Sequence, residues 1–344
     1  MIITILSIIL LGPYWLVLTI RRKLYRSGKK NRAHFPLPVV SVGNITVGGT
    51  GKTPMTEYLV DTLSAVRRVA VLSRGYRRRT RGFRMVETTS TAEASGDEPL
   101  QIKRKFPQAV VAVDRNRKRG IETLLTLPHP PEAVILDDGF QQLDVLPSHN
   151  LLLISCERPL NRDRLLPFGR LRDLPKRVED ADAVIFTKCP DWLDEEDRAR
   201  LRTENRIAPE QPVFFTRLDY GEPRAVFEGI GNNRYIYAKE VLLFTGIANP
   251  KPLAASLTDR YEQIRQKHFP DHHYFTRADI RSLWRAACAH PLSVLMTTEK
   301  DAQRLLHNRF IPDAMKERLF YLPVRTAFLT PEEERQFTGF LLGV

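Results

Sequence analysis

A chain of 344 residues, 42% of them hydrophobic, is longer than one core usually serves, and two domains are expected. Its three cysteines, Cys156, Cys189 and Cys288, stand far apart and without metal-ligand spacing, so neither a disulfide framework nor a zinc site is expected, and a reducing, cytoplasmic setting fits. The formal net charge of +13 calls for an anionic partner, be it nucleic acid, an acidic membrane surface or a phosphorylated substrate, and does not choose among them.

Met1 to Ile20 hold no charged side chain and as a helix would reach about 30 Å, roughly one hydrocarbon core. The positive charges come after the apolar run, at Arg21, Arg22, Lys23, Arg26, Lys29 and Lys30, whereas a cleaved leader carries them before it. Residues 1–25 are therefore expected to form a membrane-associated helix, with the bulk of the protein on the cytoplasmic side. Gly12-Pro13 would kink it midway, so spanning and lying in one leaflet both stay open.

From Leu37 onward short β-branched runs alternate with helical stretches: 38–42, 69–72, 109–113, 133–136, 151–154 and 183–186. This predicts an α/β fold in which helices sandwich a parallel sheet. Ser and Thr crowd residues 88–95, which read as a mobile loop. After 213–216 a polar stretch with Gly229, Gly231, Asn232 and Asn233 interrupts the pattern, which restarts at 241–245. The division is then a first domain over 26–225 and a smaller α/β domain over 226–344, its last helix free to pack back on the first. Thr276 and Asp279 have capping-box spacing and mark a helix start.

The sharpest motif is Thr46-Val47-Gly48-Gly49-Thr50-Gly51-Lys52-Thr53, lying between the strand 38–42 and a helix through Met55, Tyr58, Leu59 and Leu63. Strand, glycine-rich loop and helix are the order a phosphate cradle needs. Backbone N–H groups hold the phosphates, Lys52 brings charge to the transferring group and the Thr53 hydroxyl ligates Mg²⁺. Thr46 stands where the strict pattern has Gly.

A second motif, Asp137-Asp138-Gly139-Phe140-Gln141, ends the apolar strand 133–136 in two carboxylates. Beside a P-loop such a strand aims one acid at the metal and leaves its neighbour near the acceptor, and spacing leaves open which is which. A third, Gly96-Asp97-Glu98-Pro99, offers Asp97 on the loop as acceptor of a hydroxyl proton. Asp271-His272-His273 has no third ligand at metal spacing, which favours an acid–base or orienting role. Arginines cluster at Arg67, Arg68, Arg74, Arg77, Arg78, Arg79, Arg81 and Arg84. Arg115 and Arg117, and Arg170 and Arg172, fall where α/β sheets bind ligands, and either pair could meet a phosphorylated substrate.

Together with Gly43-Asn44, Leu72-Ser73-Arg74-Gly75-Tyr76, Phe269-Pro270 and Thr297-Thr298-Glu299-Lys300-Asp301, these strings occur in an order that resembles the tetraacyldisaccharide 4'-kinase family over most of the chain. Thr46 agrees with that family's own loop. The resemblance implies ATP- and Mg²⁺-dependent transfer to the 4'-hydroxyl of a lipid disaccharide 1-phosphate in lipid A synthesis, on the cytoplasmic face of an inner membrane with an anionic surface. It further implies Asp97 as base assisted by His272, with Thr53 and Asp137 or Asp138 on Mg²⁺. Lys52 and Asp138 are expected in catalysis, and Asn44, Arg74, Tyr76, Arg115, Arg117, Gln141, Arg170 and Arg172 are expected near substrate. No obligate protein partner is implied. The rival enzyme class is a P-loop GTPase or ATPase switch of the metallochaperone or signal-recognition type. Thr187-Lys188 begins a guanine-recognition string, but Pro190 stands where it needs Asp. A nucleic-acid module using Tyr76 and Phe83 is opposed by the charge-free N-terminus, and no nucleic-acid partner is expected.

Overall fold

The computed structural model describes residues 2–343, with side chains from Gly12 onward. A first helix, α1 (Ile2–Arg26), leads into a nine-stranded sheet. The chain runs through β1 (Val39–Gly43), α2 (Lys52–Ser64), β2 (Val69–Ser73), β3 (Arg84–Met85), α3 (Ala92–Ser95), α4 (Asp97–Lys105), β4 (Val110–Val113), α5 (Arg117–Leu125) and β5 (Ala133–Asp137). It continues through β6 (His149–Ser155), β7 (Ala183–Thr187), α6 (Glu195–Glu204) and β8 (Val213–Tyr220). A second, five-stranded sheet follows from β9 (Arg224–Ala225), β10 (Glu240–Thr245), α7 (Lys251–Ser256), β11 (Gln263–His268), α8 (Arg277–Cys288), β12 (Val294–Thr298), α9 (Glu299–Leu305), α10 (Asp313–Lys316) and β13 (Leu319–Leu322). The last elements are β14 (Val324–Phe328) and α11 (Pro331–Leu342).

The first sheet has the order β14-β8-β7-β6-β1-β5-β2-β4-β3 and is parallel except at its two edges, where β14 and β3 run antiparallel. The inner strands β1, β2, β5 and β7 are buried along their whole length, as continuous Val/Ile/Leu runs require when helices cover both faces. Alternate strand residues point to opposite cores. Val71, Ile135 and Leu153 meet Leu59 and Leu63 of α2 and Phe337 of α11. Leu72 and Leu136 meet Ile121 and Leu124 of α5, and Leu152 and Phe186 meet Leu201 of α6.

β1 lies between β5 and β6, the place where the strand order turns. The crevice at its C-terminal end is where an open α/β sheet binds ligands. The second sheet, β11-β10-β12-β13-β9, is parallel apart from β9 and carries α8 on one face and α7 on the other.

Two departures from the expected layout have local causes. The unit read as 226–344 already starts with β9, and after β13 the chain returns to the first sheet: Pro323, without an N–H, ends one ladder, and β14 joins β8 while α11 covers the same sheet. The stretch 88–95 is not an open loop throughout. Thr91 caps α3 by accepting from Ala94 N, and Gly96, at φ +94, turns the chain directly into α4.

α1 contains Pro13 and lies against the first domain. Tyr14 donates to the Arg172 carbonyl at 2.7 Å, Arg21 to the Gln141 carbonyl at 3.0 Å, and Arg22 pairs with Glu179 and Asp180. Trp15, Leu16, Val17 and Ile20 of the same helix are exposed. Among the described residues, no helix is long and apolar enough to cross a membrane. The apolar side chains read at Met1 to Leu11 lie outside the described residues.

Candidate active site

The cradle is built at the end of β1. Gly43 can approach the turn after β5 only because it lacks a side chain, since a Cβ there would stand 2.8 Å from Phe140 N. The loop 44–51 then runs to α2, whose N-cap Gly51 takes a left-handed conformation at φ +79. Neighbouring backbone staples the loop on both sides. Val47 N donates to Arg170 O at 2.7 Å, Arg172 N to Ile45 O at 2.8 Å, and Thr187 Oγ1 to Thr50 O at 2.8 Å. Thr46 is buried in a bridge to Leu171, and Arg170 itself is exposed, with its guanidinium over Gly48. The result is a row of N–H groups at a helix start, the form in which proteins hold phosphate.

Asn44 is fully buried and contacts the loop rather than open solvent. Its amide nitrogen donates to Thr50 Oγ1 at 2.6 Å, and its Oδ1 accepts from Lys52 Nζ at 3.3 Å and Arg172 Nη2 at 2.6 Å. Its role in this geometry is to orient the loop and two cations.

The two aspartates have separate environments. Asp138 adopts a left-handed φ of +50, faces the cleft and meets Lys52 at 3.7 Å and the Arg172 guanidinium. Burial would raise its pKa, but Lys52 and Arg172 outweigh it and hold the carboxyl well below the usual range. Asp137 is buried behind it, taking hydrogen bonds from Ser73 Oγ at 2.8 Å and Thr56 Oγ1 at 3.3 Å. Burial, then the charges of Glu98 and Asp138, push its pKa up to about 6. A buried carboxylate held by hydroxyls, beside Asp138 and the Thr53 hydroxyl at the helix start, matches the one or two acids and alcohol that a Mg²⁺–phosphate site takes from protein. Among the described residues no group of three or more His, Cys, Asp or Glu side chains could hold a metal alone.

Across the cleft stands a second cluster. Asp97 is the first residue of α4 and is buried, not on a mobile loop, and its Oδ1 accepts from Glu98 N at 3.1 Å. Its Oδ2 faces His272 Nδ1 at 3.0 Å and takes the Arg304 guanidinium, whose Nε lies at 3.0 Å. Burial opposes ionisation, but Lys300, His272 and Arg304 together keep Asp97 far below the usual carboxylate range. His272 has a left-handed φ of +59 in the turn after β11, anchored by its N–H to Gly246 O at 3.0 Å, and packs edge-on against exposed Tyr76 at 5.1 Å. Such backbone strain recurs at functional positions. His273 turns away, stacks on Phe269 and meets Asp279 at the start of α8.

A cleft of about 450 Å³ joins the two clusters, lined by the loop 46–53, Tyr76, Arg77, Glu98, Asp138 and Arg172 on the side of the first sheet and by Asp271, His272 and Lys300 on the side of the second. Arg74 and Arg115 are exposed, and Gln141 is partly buried with its carbonyl taken by Arg21. Arg117 corrects the expectation placed on it: its guanidinium is fully buried and donates to the carbonyls of Asp114 and Asp137, so it braces β5 instead of meeting substrate. Burial lowers its pKa to about 10. Lys300 stood in the string Thr297 to Asp301 without an assigned role, and Arg304 was not singled out from sequence. Thr298 caps α9 and puts positions 300 and 304 one helical turn apart on the face toward Asp97, a signal that only the cap spacing of Thr298 and Asp301 carried.

The likenesses to known proteins extend over nearly the whole chain. The family model described as LpxK, tetraacyldisaccharide-1-P 4'-kinase, matches residues 3–342. The tetraacyldisaccharide 4'-kinase of Parabacteroides distasonis is 40% identical over 332 residues, covering 94% of this chain and 90% of that protein. The enzyme of the same name from Flavobacterium johnsoniae is 38% identical over 325 residues, covering 93% and 91%. The crystal structure of LpxK from Aquifex aeolicus in complex with ATP is 27% identical, with a TM-score of 0.73, over 97% of this chain and 98% of that one. By the extent and level of these matches, the chain belongs to the tetraacyldisaccharide-1-P 4'-kinase family.

Proposed function

We propose that this chain transfers the γ-phosphate of ATP to the 4'-hydroxyl of a tetraacyldisaccharide 1-phosphate, the step its relatives are named for. The observation that supports this most is one cleft holding a phosphate-binding loop on one wall and an Asp–His pair on the other. Loop N–H groups and Lys52 hold the triphosphate, while Arg172 and Asn44 fix the direction of Lys52 and Asp138. Thr53, Asp137 and Asp138 would hold Mg²⁺, which when bound neutralises phosphate charge. The Asp97–His272 pair accepts the hydroxyl proton, and His272 is the member that reaches the cleft. As that proton leaves, the oxygen bonds to γ-phosphorus, the β,γ-bridging bond breaks, and ADP departs with the bond's electrons. Tyr76 on the cleft wall and Arg170 over Gly48, with the exposed Arg74 and Arg115, are the side chains we assign to the substrate's anionic group.

α1 would attach the enzyme to an anionic cytoplasmic membrane face through exposed Trp15, Leu16, Val17 and Ile20 and the basic residues that follow, leaving the acyl chains in the bilayer. Its bond to the Arg172 carbonyl would bring that surface beside the cleft.

The test is to incubate the protein with radiolabelled ATP, Mg²⁺ and the disaccharide 1-phosphate in detergent. Label should appear in the lipid, and hydrolysis of ATP with the lipid unlabelled would favour the nucleotide-switch class instead. Deleting residues 1–25 should weaken sedimentation with anionic liposomes, and equal binding would remove α1 as the anchor.

A further inference from the structure

Lys300 occupies a place that no step above assigns to it. It is the second residue of α9, mostly buried, and its ammonium donates to Glu98 Oε1 at 2.8 Å and stands 3.3 Å from His272 Nε2. An ammonium has three hydrogens and no lone pair, so a ring nitrogen facing it can only accept. On the opposite side of the imidazole, Nδ1 faces Asp97 Oδ2. An ionised carboxylate can only accept, so Nδ1 carries the hydrogen. The network therefore assigns both ring nitrogens at once.

We infer that Lys300 is a positioning residue for the proton-accepting step: it fixes the His272 ring with hydrogen on Nδ1 and the Nε2 lone pair facing the cleft until the acceptor hydroxyl arrives. This rests on the kinase reading above. When the hydroxyl takes the ammonium's place at Nε2, Lys300 keeps its bond to Glu98. The hydroxyl proton then passes to Nε2 while the oxygen attacks phosphorus, and the imidazolium so formed is paired with Asp97. The other charged groups around His272 are Arg304, whose Nη2 lies 3.5 Å from Nδ1, Asp271, whose carboxylate lies 3.9 Å from Nε2, and Arg77, which donates to the His272 carbonyl at 3.2 Å. Of the two groups facing Nε2, Lys300 stands nearer than Asp271. Tyr76 closes the ring's remaining side. Lys300 itself stays charged: burial lowers its pKa, but Glu98 and Asp97 more than reverse that.

The experiment uses full-length protein labelled with ¹⁵N-histidine, with the His272 signal assigned among the eight histidines by its loss in His272→Gln. At neutral pH the wild type should show a protonated Nδ1 and an unprotonated Nε2. In Lys300→Met the His272 ring should lose this single tautomer at neutral pH, and the pH profile of kcat should change with it. At pH 7 kcat should fall roughly 10- to 100-fold, the worth of one hydrogen bond to a charged group, with KM for ATP within about twofold. Lys300→Arg keeps a cationic donor and should recover most of the loss. A wild-type His272 with hydrogen on Nε2 at neutral pH overturns the inference, whether or not the variant folds. So does a folded Lys300→Met with unchanged tautomer and pH profile. The tautomer is read without substrate, so a wild type that fails to label lipid sinks the kinase reading and leaves this measurement to decide separately.

Discussion

The phosphate cradle and the proton-handling cluster face each other across one cleft, yet they are assembled by opposite means. The cradle is a single run, residues 46–53, set between β1 and α2 and stapled by backbone of its own domain. The cluster draws Asp97 and Glu98 from α4 and His272, Lys300 and Arg304 from the segments around the second sheet, with His272 lying 175 positions and Arg304 207 positions after Asp97. A loop held by local backbone forms whenever its domain folds. A buried network of charges drawn from the neighbourhoods of two sheets forms only when both are packed together, so it joins the two halves of the cleft. Activity and stability should thus separate in the cradle and travel together in the cluster.

The largest expected effect is that of Asp97→Ala. It removes the proton acceptor's partner, which should lower kcat by roughly 10²- to 10⁴-fold. It also leaves the Arg304 guanidinium, buried and shared with Asp301, short of one carboxylate. Breaking a buried pair costs about 3 kcal/mol, and a urea melt should show it. Lys52→Ala should come next, lowering kcat by roughly 10²- to 10³-fold through lost charge at the transferring group. Lys52 is partly exposed and its salt bridge is long, so the same melt should be unchanged. A Lys52→Ala protein as destabilised as Asp97→Ala would break the contrast.

What sequence could reveal follows the same division. The inner strands were legible because burial on both faces demands unbroken apolar runs, and the P-loop because its chemistry is carried by consecutive residues. The capping box at Thr276 and Asp279 formed as spaced. β3, β9 and β14 were not legible: two have only two residues each, and β14 is separated from β13 by one proline that sends it to the other sheet. The environment that differentiates Asp137 from Asp138, one among hydroxyls and one between cations, comes from Ser73, Thr56, Lys52 and Arg172, residues remote in the chain. Arg117 was misplaced for the same reason. Its position predicted the right sheet edge, but only packing decides whether a guanidinium there points out to a ligand or in to a carbonyl.

The smallest predicted effect probes the helix that belongs to both regions. α2 begins in the cradle at Lys52, but five residues on, Glu57 is buried, and Lys105 bridges it at 2.7 Å to Glu299 of α9 at 3.5 Å. Burial first, then the charge of Glu299, push the Glu57 pKa up to about 7, against the pull of Lys105 and Gln101. The unfolded chain would release this proton near the ordinary value of 4.5. Between those two pH values the folded protein holds a proton that the unfolded chain has lost, so this group's contribution is most favourable at the acidic end and is progressively lost as pH rises through about 7. Glu57→Gln keeps an acceptor for Gln101 and cannot ionise. The difference in unfolding free energy between variant and wild type should therefore shift toward the variant by about 1–2 kcal/mol from pH 5 to pH 8, read from urea melts at each pH. A pH-independent difference would mean that Lys105 satisfies both carboxylates fully, and that this buried bridge imposes no strain on the helix that starts the cradle.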